Sequence, residues 1–169
     1  MSTDFGSKQD LSVEQAVKSD ALRLIALRPR SRAELKEKLL KKGHETTLVE
    51  GVLDFFETKG LVDDEKFAKI IADSKLYVKT VGRRQLRMDL KKKGLSEQVV
   101  EKTMESFKDY DEKAAALQVA QKRAAILKSL PPQKKRARLF GFLQRRGFSS
   151  EAIYSALSAV LKTETLLEE

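Results

Sequence analysis

This chain of 169 residues contains no cysteine and no tryptophan, and it has only three prolines and eight glycines. The absence of cysteine excludes disulfide bonds, thiolate metal sites and cysteine nucleophiles, and it is typical of a reducing compartment. So few helix breakers leave room for long helices. No apolar run approaches the roughly 18 residues of a membrane span, and residues 1–10 do not resemble a signal peptide. We therefore expect a soluble, cytoplasmic protein that does not contact a membrane.

The motifs of common enzyme classes are also missing. The sequence contains no GxxxxGK[ST] phosphate loop, no GxGxxG and no HExxH. Its only histidine, His44, follows Gly43 in a predicted turn, which favours a structural role over a ligand or catalytic one. Acidic pairs such as Asp63-Asp64 lie at predicted helix starts, where the helix dipole accounts for them. We predict that the chain is not an enzyme and that it has no catalytic residue, metal or cofactor.

The residues that are present give a strongly charged, basic chain. Charged residues make up 35% of it, and the formal net charge is +9. One basic phrase, leucine-spaced and closed by two cations and a glycine, occurs as SRAELKEKLLKKG (31–43), GRRQLRMDLKKKG (82–94) and KKRARLFGFLQRRG (134–147). These segments carry net charges of +3, +5 and +6. Because the net charge of the whole chain is +9, the rest of the chain has a net charge of −5. Such patterned basicity favours a polyanionic partner such as nucleic acid.

The spacing of apolar residues predicts an all-α fold, because they recur at three and four positions with no alternating strand pattern. A phrase repeated about every fifty residues indicates a modular array. We expect each module to contain three helices, with a leucine pair such as Leu86 and Leu90 burying the middle one. The predicted organisation is a mobile tail (1–11), three-helix modules (12–61, 62–108 and 109–162) and a C-terminal tail (163–169).

Helix starts are predicted by capping residues. Ser12 with Gln15 and Ser31 with Glu34 resemble capping boxes, and Ser96 is a predicted N-cap. The last helix is capped by Ser149 or Ser150. Apolar residues expected to face the core include Phe55, Ile70 and Tyr77.

The three copies differ on one flank of the middle helix. With Leu86 and Leu90 toward the core, Arg84, Arg87 and Lys91 fall on one accessible side. The equivalent positions are Ala33, Lys36 and Leu40 in the first copy and Ala137, Phe140 and Gln144 in the third. We expect the apolar residues among these to pack within or between modules. The central flank is therefore a predicted binding surface, although an ordinary solvated face would have the same pattern.

The third copy begins with a dense cationic stretch after two prolines. Cations at a helix start oppose the helix dipole, so a phosphate or carboxylate surface is the natural explanation. The dibasic ends lie in last helical turns, where the dipole stabilises them, so they have a structural explanation as well. The predicted binding residues are Arg83, Arg84, Arg87, Lys91, Lys92, Lys134, Lys135, Arg136, Arg138, Arg145 and Arg146.

Three segments give the chain a resemblance to the RecX family of bacterial recombination regulators. They are ALRLIALRPRSRAELKEKLLKKG (21–43), GLVDDEKFAKIIADSK (60–75) and GRRQLRMDLKKKGL (82–95), and the resemblance covers about residues 17–161. It implies three tandem three-helix modules in an elongated, curved molecule. It also implies a regulator without chemistry of its own, which binds RecA–DNA filaments in the helical groove and inhibits RecA's recombinase and ATPase activities in recombination and repair.

The expected partners are the RecA filament and, with weak and salt-dependent affinity, single-stranded and double-stranded DNA. We expect a monomer. One alternative is a stand-alone helix-turn-helix-like protein that acts on duplex DNA, which would regulate in the absence of RecA. Another is a helical scaffold for a different acidic partner, which would have little affinity for DNA at low salt.

Overall fold

The computed structural model describes residues 4–165, and the regular structure in that range is entirely helical. This confirms the predicted all-α fold. None of the described helices is long and apolar enough to cross a membrane. The nine α-helices of this range are α1 (Asp4–Leu27), α2 (Arg32–Lys41), α3 (Thr46–Thr58), α4 (Asp64–Asp73), α5 (Arg83–Lys92), α6 (Glu97–Ser106), α7 (Glu112–Ile126), α8 (Pro132–Arg145) and α9 (Ser150–Thr165).

Serine side chains begin several of these helices, as predicted. The amide of Glu34 donates to the Ser31 hydroxyl at 3.1 Å at the start of α2. The Ser96 hydroxyl accepts from the amide of Val99 at 3.3 Å. Ser149, rather than Ser150, caps α9 by accepting from the amide three residues on, also at 3.3 Å. Short polar side chains thus satisfy amides that have no partner within the helix.

The predicted start of α1 at Ser12 is wrong, because this helix begins at Asp4. No proline or paired glycine interrupts residues 4–27, so helical propagation continues through the proposed capping box. Most of the predicted N-terminal tail is therefore helical, and residues 1–3 lie outside the described residues. At the other end α9 runs to Thr165, and residues 166–169 also lie outside the described range.

The chain forms two compact units. Unit 1 comprises Met1–Lys69 and Lys91–Val99, and unit 2 comprises Ile70–Leu90 and Val100–Glu169. In unit 1 the leucine pair of α2 is fully buried against α1 and α3, and Leu40 packs at the edge of this core. In unit 2 the alanine-rich α7 allows α8 and α9 to approach closely, and Phe140 packs at the edge. The repeated leucines are thus core residues in both units.

A π-helical turn, Ser74–Val78, follows α4 and changes which apolar residues are buried. The amide of Lys79 donates to the carbonyl of Ser74 at 3.0 Å, five residues back. This wider turn shifts the helical register, so that Leu76 is buried while Tyr77 is 63% exposed. Ile70 is 50% exposed, and Phe55 is also exposed. The predictions that Phe55, Ile70 and Tyr77 are buried were therefore wrong.

The closing turn of a middle helix packs on the start of the preceding middle helix, and this joint occurs once in each unit. In unit 1 the Ser31 hydroxyl donates to the carbonyl of Lys93 at 2.5 Å. In unit 2 the amide of Gly82 donates to the carbonyl of Arg146 at 2.9 Å. Ser31 and Gly82 hold the same position in their copies, and so do Lys93 and Arg146. We call this arrangement the repeat joint.

The closing glycine of the phrase has a second role at the repeat joint. Gly43, Gly94 and Gly147 all have positive φ, at 90°, 73° and 76°, which ends their helices in the left-handed conformation. A Cβ added at Gly94 would lie 2.4 Å from the Ala33 Cβ, and one at Gly147 would lie 2.4 Å from the amide nitrogen of Gln85. Nothing lies within 4 Å of a Cβ at Gly43. Only the second and third copies therefore need glycine for close packing.

Acids from the following module cap the middle helices. The amide of Arg32 donates to Asp64 at 2.8 Å, and the amide of Arg83 donates to Glu112 at 2.8 Å. From the sequence, Asp64 is expected to interact only with the dipole of its own helix. In the structure, Asp64 and Glu112 also cap the middle helix of the preceding module. The last middle helix, α8, follows Pro131 without a side-chain cap and has no acid in its first turn. Its N-terminus therefore stays electropositive.

Candidate functional site

The central basic flank lies on α5, which is oriented by its fully buried leucines Leu86 and Leu90. Arg84 projects from the opposite side and is exposed. Within residues 4–165 its side chain has no hydrogen-bond or ion-pair partner. Lys92, at the end of the helix, is exposed as well. Arg84 is therefore available to an external anion.

The other two members of this flank are paired with acids of α6. Arg87 forms a two-pronged ion pair with Glu101, in which the Nη2–Oε2 distance is 3.1 Å. The Nζ of Lys91 lies 2.8 Å from a carboxylate oxygen of Glu97. These partly exposed pairs contribute little to stability, but they neutralise two of the three predicted cations. A partner must therefore displace or include the two carboxylates.

The side chain of Arg83 connects α5 to the end of α6. Its guanidinium donates to the carbonyl of Met104 at 3.1 Å and to that of Phe107, at the end of α6. In the first copy the equivalent Arg32 pairs with three acids of α3 at 2.6–2.8 Å. This position therefore anchors the middle helix of a module to its third helix.

The start of α8 presents the densest group of accessible cations. Lys134, Arg136 and Arg138 are exposed, and in the described part of the chain none of them has an ion pair. Lys135, in contrast, is buried. Arg136 occupies the position that Arg32 and Arg83 hold in the other copies, yet it is free of their intramolecular contacts. Because α8 also lacks an acidic cap, its amides add to the positive potential.

The two arginines at the end of α8, Arg145 and Arg146, differ in their contacts. Arg146 donates to the carbonyls of Lys79 and Thr80 at 3.0 and 3.2 Å. Arg145 is exposed and shares with Arg138 a shallow cleft of about 340 Å³ that has no acidic lining residue. The structure thus brings two predicted site residues, Arg138 and Arg145, into one cleft.

The first copy's closing turn is tied to α1 through Asp20. Its carboxylate lies 2.7 Å from the Lys42 Nζ and 2.9 Å from the His44 Nε2. Hydrogen bonds from these two side chains lower the pKa of Asp20. His44 is thus a structural residue. Within the described range no three His, Cys, Asp or Glu residues are grouped so that they could hold a metal ion.

The joint in unit 1 contains a strongly perturbed carboxylate. Glu34 lies 3.0 Å from Arg28 and 2.6 Å from the Lys93 Nζ. Burial raises the pKa of Glu34, but hydrogen bonds and charge from Arg28 and Lys93 outweigh it and hold the pKa at about 2. Lys93 therefore stabilises the joint and is not free for a partner.

Sequence reasoning missed a further group of cations in unit 2. Lys79 precedes α5, and Lys122 and Arg123 lie near the end of α7. With Arg146 and Phe142 they line a cleft of about 310 Å³. Their spacing in the sequence carries no common motif, since the cleft is assembled by long-range packing of a loop on two helices.

Comparison with known proteins places all three modules in one family. The first, second and third three-helix domains of RecX match residues 18–56, 63–104 and 109–157, respectively. A regulatory protein RecX from Chlorobium limicola is 36% identical over 143 residues, which cover 85% of this chain and 88% of that protein. The corresponding protein of Mycolicibacterium smegmatis is 33% identical over 155 residues, covering 89% and 82%.

Solved structures show the same fold. The crystal structure of RecX from Lactobacillus salivarius superposes with a TM-score of 0.77 at 17% identity, covering 89% of this chain and 97% of that one. A second crystal structure, of a regulatory protein RecX, gives a TM-score of 0.84 at 18% identity, with coverages of 94% and 79%. At these identities the likeness concerns the fold alone.

Proposed function

The chain belongs to the RecX family of regulatory proteins, and we propose that it binds RecA–DNA filaments in their helical groove and inhibits the recombinase and ATPase activities of RecA. The proposed action is non-catalytic, through occupation of a surface that the filament needs for strand exchange. Three modules in tandem contact more than one RecA protomer, and such multiple contacts raise the overall affinity.

The observation that carries this proposal is the set of accessible cations on unit 2. Lys134, Arg136 and Arg138 crowd the start of α8, and Arg84 projects from α5, all without intramolecular carboxylate partners among the described residues. A RecA–DNA filament offers phosphates and acidic side chains along its groove. Guanidinium groups bind both kinds of anion through paired hydrogen bonds, and the ammonium group of Lys134 binds them as a point charge. These four residues are the proposed contacts.

The remaining predicted binding residues divide by their contacts. Arg83 and Arg146 donate to backbone carbonyls, and Lys135 is buried, so we assign these three to the fold. Arg87 and Lys91 face acids of α6 and tune the charge of the flank. Lys92 and Arg145 are exposed and add to the long-range positive potential.

The proposal is tested by measuring the ATPase activity of RecA on single-stranded DNA with substoichiometric amounts of the chain. We expect inhibition by the wild type and much weaker inhibition by a Lys134→Glu, Arg136→Glu, Arg138→Glu variant. A charge-matched control carries Lys38→Glu, Lys59→Glu and Lys69→Glu, which alter exposed lysines that are not among the proposed contacts. Equal inhibition by the two variants, with unchanged circular dichroism, would contradict the assignment.

The alternative of direct action on duplex DNA makes a different prediction in the same assay. A protein of that kind would bind duplex DNA in the absence of RecA, and at a low ratio it would not inhibit the ATPase activity of RecA on single-stranded DNA. Salt would weaken binding to free DNA in either case. The requirement for RecA therefore separates the two functions.

A further inference from the structure

A cleft on unit 2 combines cations with exposed apolar side chains, and the proposed filament contacts do not use it. It lies between the segment before α5, the end of α7 and α8. Its cationic lining residues are Lys79, Lys122, Arg123 and Arg146, and no acidic residue lines it. A cleft with charge of one sign is complementary to an anionic partner.

One aromatic ring that lines this cleft is in contact with two guanidinium groups. The Arg123 and Arg146 guanidinium carbons lie 5.1 and 5.2 Å from the ring centroid of Phe142. Such cation–π contacts hold arginines in place while leaving their donors available. The Arg123 Nε is buried and has no hydrogen-bond partner within the described residues. A buried donor without a partner costs free energy unless a ligand or water satisfies it.

The rim of the cleft is apolar and exposed. Val78 is 78% exposed and Ile126 is 71% exposed, and both line the cleft beside the cations. Next to Val78, Thr80 has a φ of 53°, a strained backbone conformation for a β-branched residue. Arg146 holds this segment in place through its hydrogen bonds to the carbonyls of Lys79 and Thr80. The protein therefore maintains an apolar rim that its own core does not bury.

We propose that this cleft binds an acidic peptide segment of a partner protein, with a large apolar side chain of the peptide packed between Val78 and Ile126. The peptide's carboxylates would bind Lys122 and Arg123. A nucleic-acid backbone would satisfy the cations but would leave both aliphatic side chains in water, whereas an acidic peptide with an apolar residue covers both features. This inference does not depend on RecA being the regulated protein.

The test uses short fluorescent peptides and the full chain. One peptide alternates glutamate pairs with single leucines, and its control has serine in place of each leucine at the same charge. We expect the leucine peptide to bind roughly fivefold to tenfold more tightly, from burial of its apolar side chains. Ile126→Ser should remove this preference, and Lys122→Gln should lower the affinity of the chain for both peptides. Leu27→Ser, which changes another highly exposed apolar residue outside the cleft, should have no effect.

Three results would overturn this inference. The first is equal affinity for the leucine and serine peptides, which would mark a patch of charge without an apolar subsite. The second is no measurable binding of either peptide at low salt. The third is a short oligo-dT that displaces the leucine peptide and loses affinity on Ile126→Ser as the peptide does, which would make the cleft a nucleic-acid site. Because Ile126 is so exposed, its substitution leaves the fold intact, and a thermal melt verifies this.

Discussion

The amide of Gly82 donates a 2.9 Å hydrogen bond to the carbonyl of Arg146, which joins the start of one middle helix to the closing turn of the next. The Ser31 hydroxyl makes the equivalent bond to the carbonyl of Lys93. The repeated phrase is therefore part of the packing between modules as well as of each module's core. The closing glycines of the second and third copies, Gly94 and Gly147, each meet the preceding middle helix, which favours a regular spacing of the phrases.

The repeat joint predicts unequal effects of one substitution in the three copies. Gly43→Ala should cost about 1 kcal/mol, the penalty for an ordinary residue at positive φ. Gly94→Ala and Gly147→Ala should cost at least twice as much, because the added Cβ would also overlap with neighbouring atoms at 2.4 Å. Urea unfolding of the three variants measures these differences. Equal costs at all three positions would show that the close approach does not matter.

The carboxylate of Glu34 predicts a pH-dependent contribution to stability. Its pKa is about 2 in the folded chain, against an ordinary value of 4.5. A lowered pKa stabilises the fold above pH 4.5, and the contribution is lost as the pH falls from 4.5 toward 2. Allowing for solvent screening, Glu34→Gln should destabilise the chain by about 1–2 kcal/mol at pH 7. The difference from wild type should shrink at pH 3, and a constant difference would argue against this ion-pair network.

Arg83 and Arg136 hold equivalent positions and should respond differently to the same change. Arg83→Gln removes donors to two carbonyls at the end of α6 and should cost about 1–3 kcal/mol. Arg136→Gln, at an exposed position, should change stability by less than about 0.5 kcal/mol while weakening inhibition of RecA. Thermal denaturation and the ATPase assay together distinguish the two. Loss of inhibition in proportion to loss of stability would contradict a contact role for Arg136.

The central flank makes a further prediction about charge. Arg84→Glu should weaken inhibition of the RecA ATPase without loss of stability, since Arg84 is exposed. Arg87→Glu and Lys91→Glu would place like charges against Glu101 and Glu97, so neutral glutamine variants are the better test at those positions. We expect the glutamine variants to have smaller effects than Arg84→Glu. Unchanged inhibition by a combined Arg84→Glu, Arg87→Gln, Lys91→Gln variant would remove this flank from the interface.

Local features of the fold could be predicted from the sequence. The serine caps at Ser31 and Ser96 and the buried leucine pairs follow from short-range rules of helix capping and periodicity, and the structure confirms them. The burial of Tyr77 was predicted wrongly because a π-helical turn shifts the register, and no simple pattern marks such a turn. The start of α1 at Asp4 was missed because a capping sequence within a helix looks like its beginning.

Long-range features could not be predicted from a single sequence. The charge pattern indicates that residues such as Arg83, Arg87 and Arg136 are alike, yet the first binds carbonyls, the second binds a carboxylate and the third is exposed. The contacts of the first two depend on residues that lie 14 to 24 positions away in the chain. The cleft beside Phe142 has the same origin, since its cations come from separate segments. Packing therefore decides which cations remain available.

The most direct test of the proposed function is co-sedimentation with RecA filaments on poly(dT), with poly(dT) alone as the reference. We predict that the chain pellets with RecA–poly(dT) at physiological salt and that poly(dT) alone retains little of it. The Lys134→Glu, Arg136→Glu, Arg138→Glu variant should stay largely in the supernatant, and the lysine control should pellet as the wild type does. Equal pelleting with and without RecA would contradict filament binding and would favour direct binding to DNA.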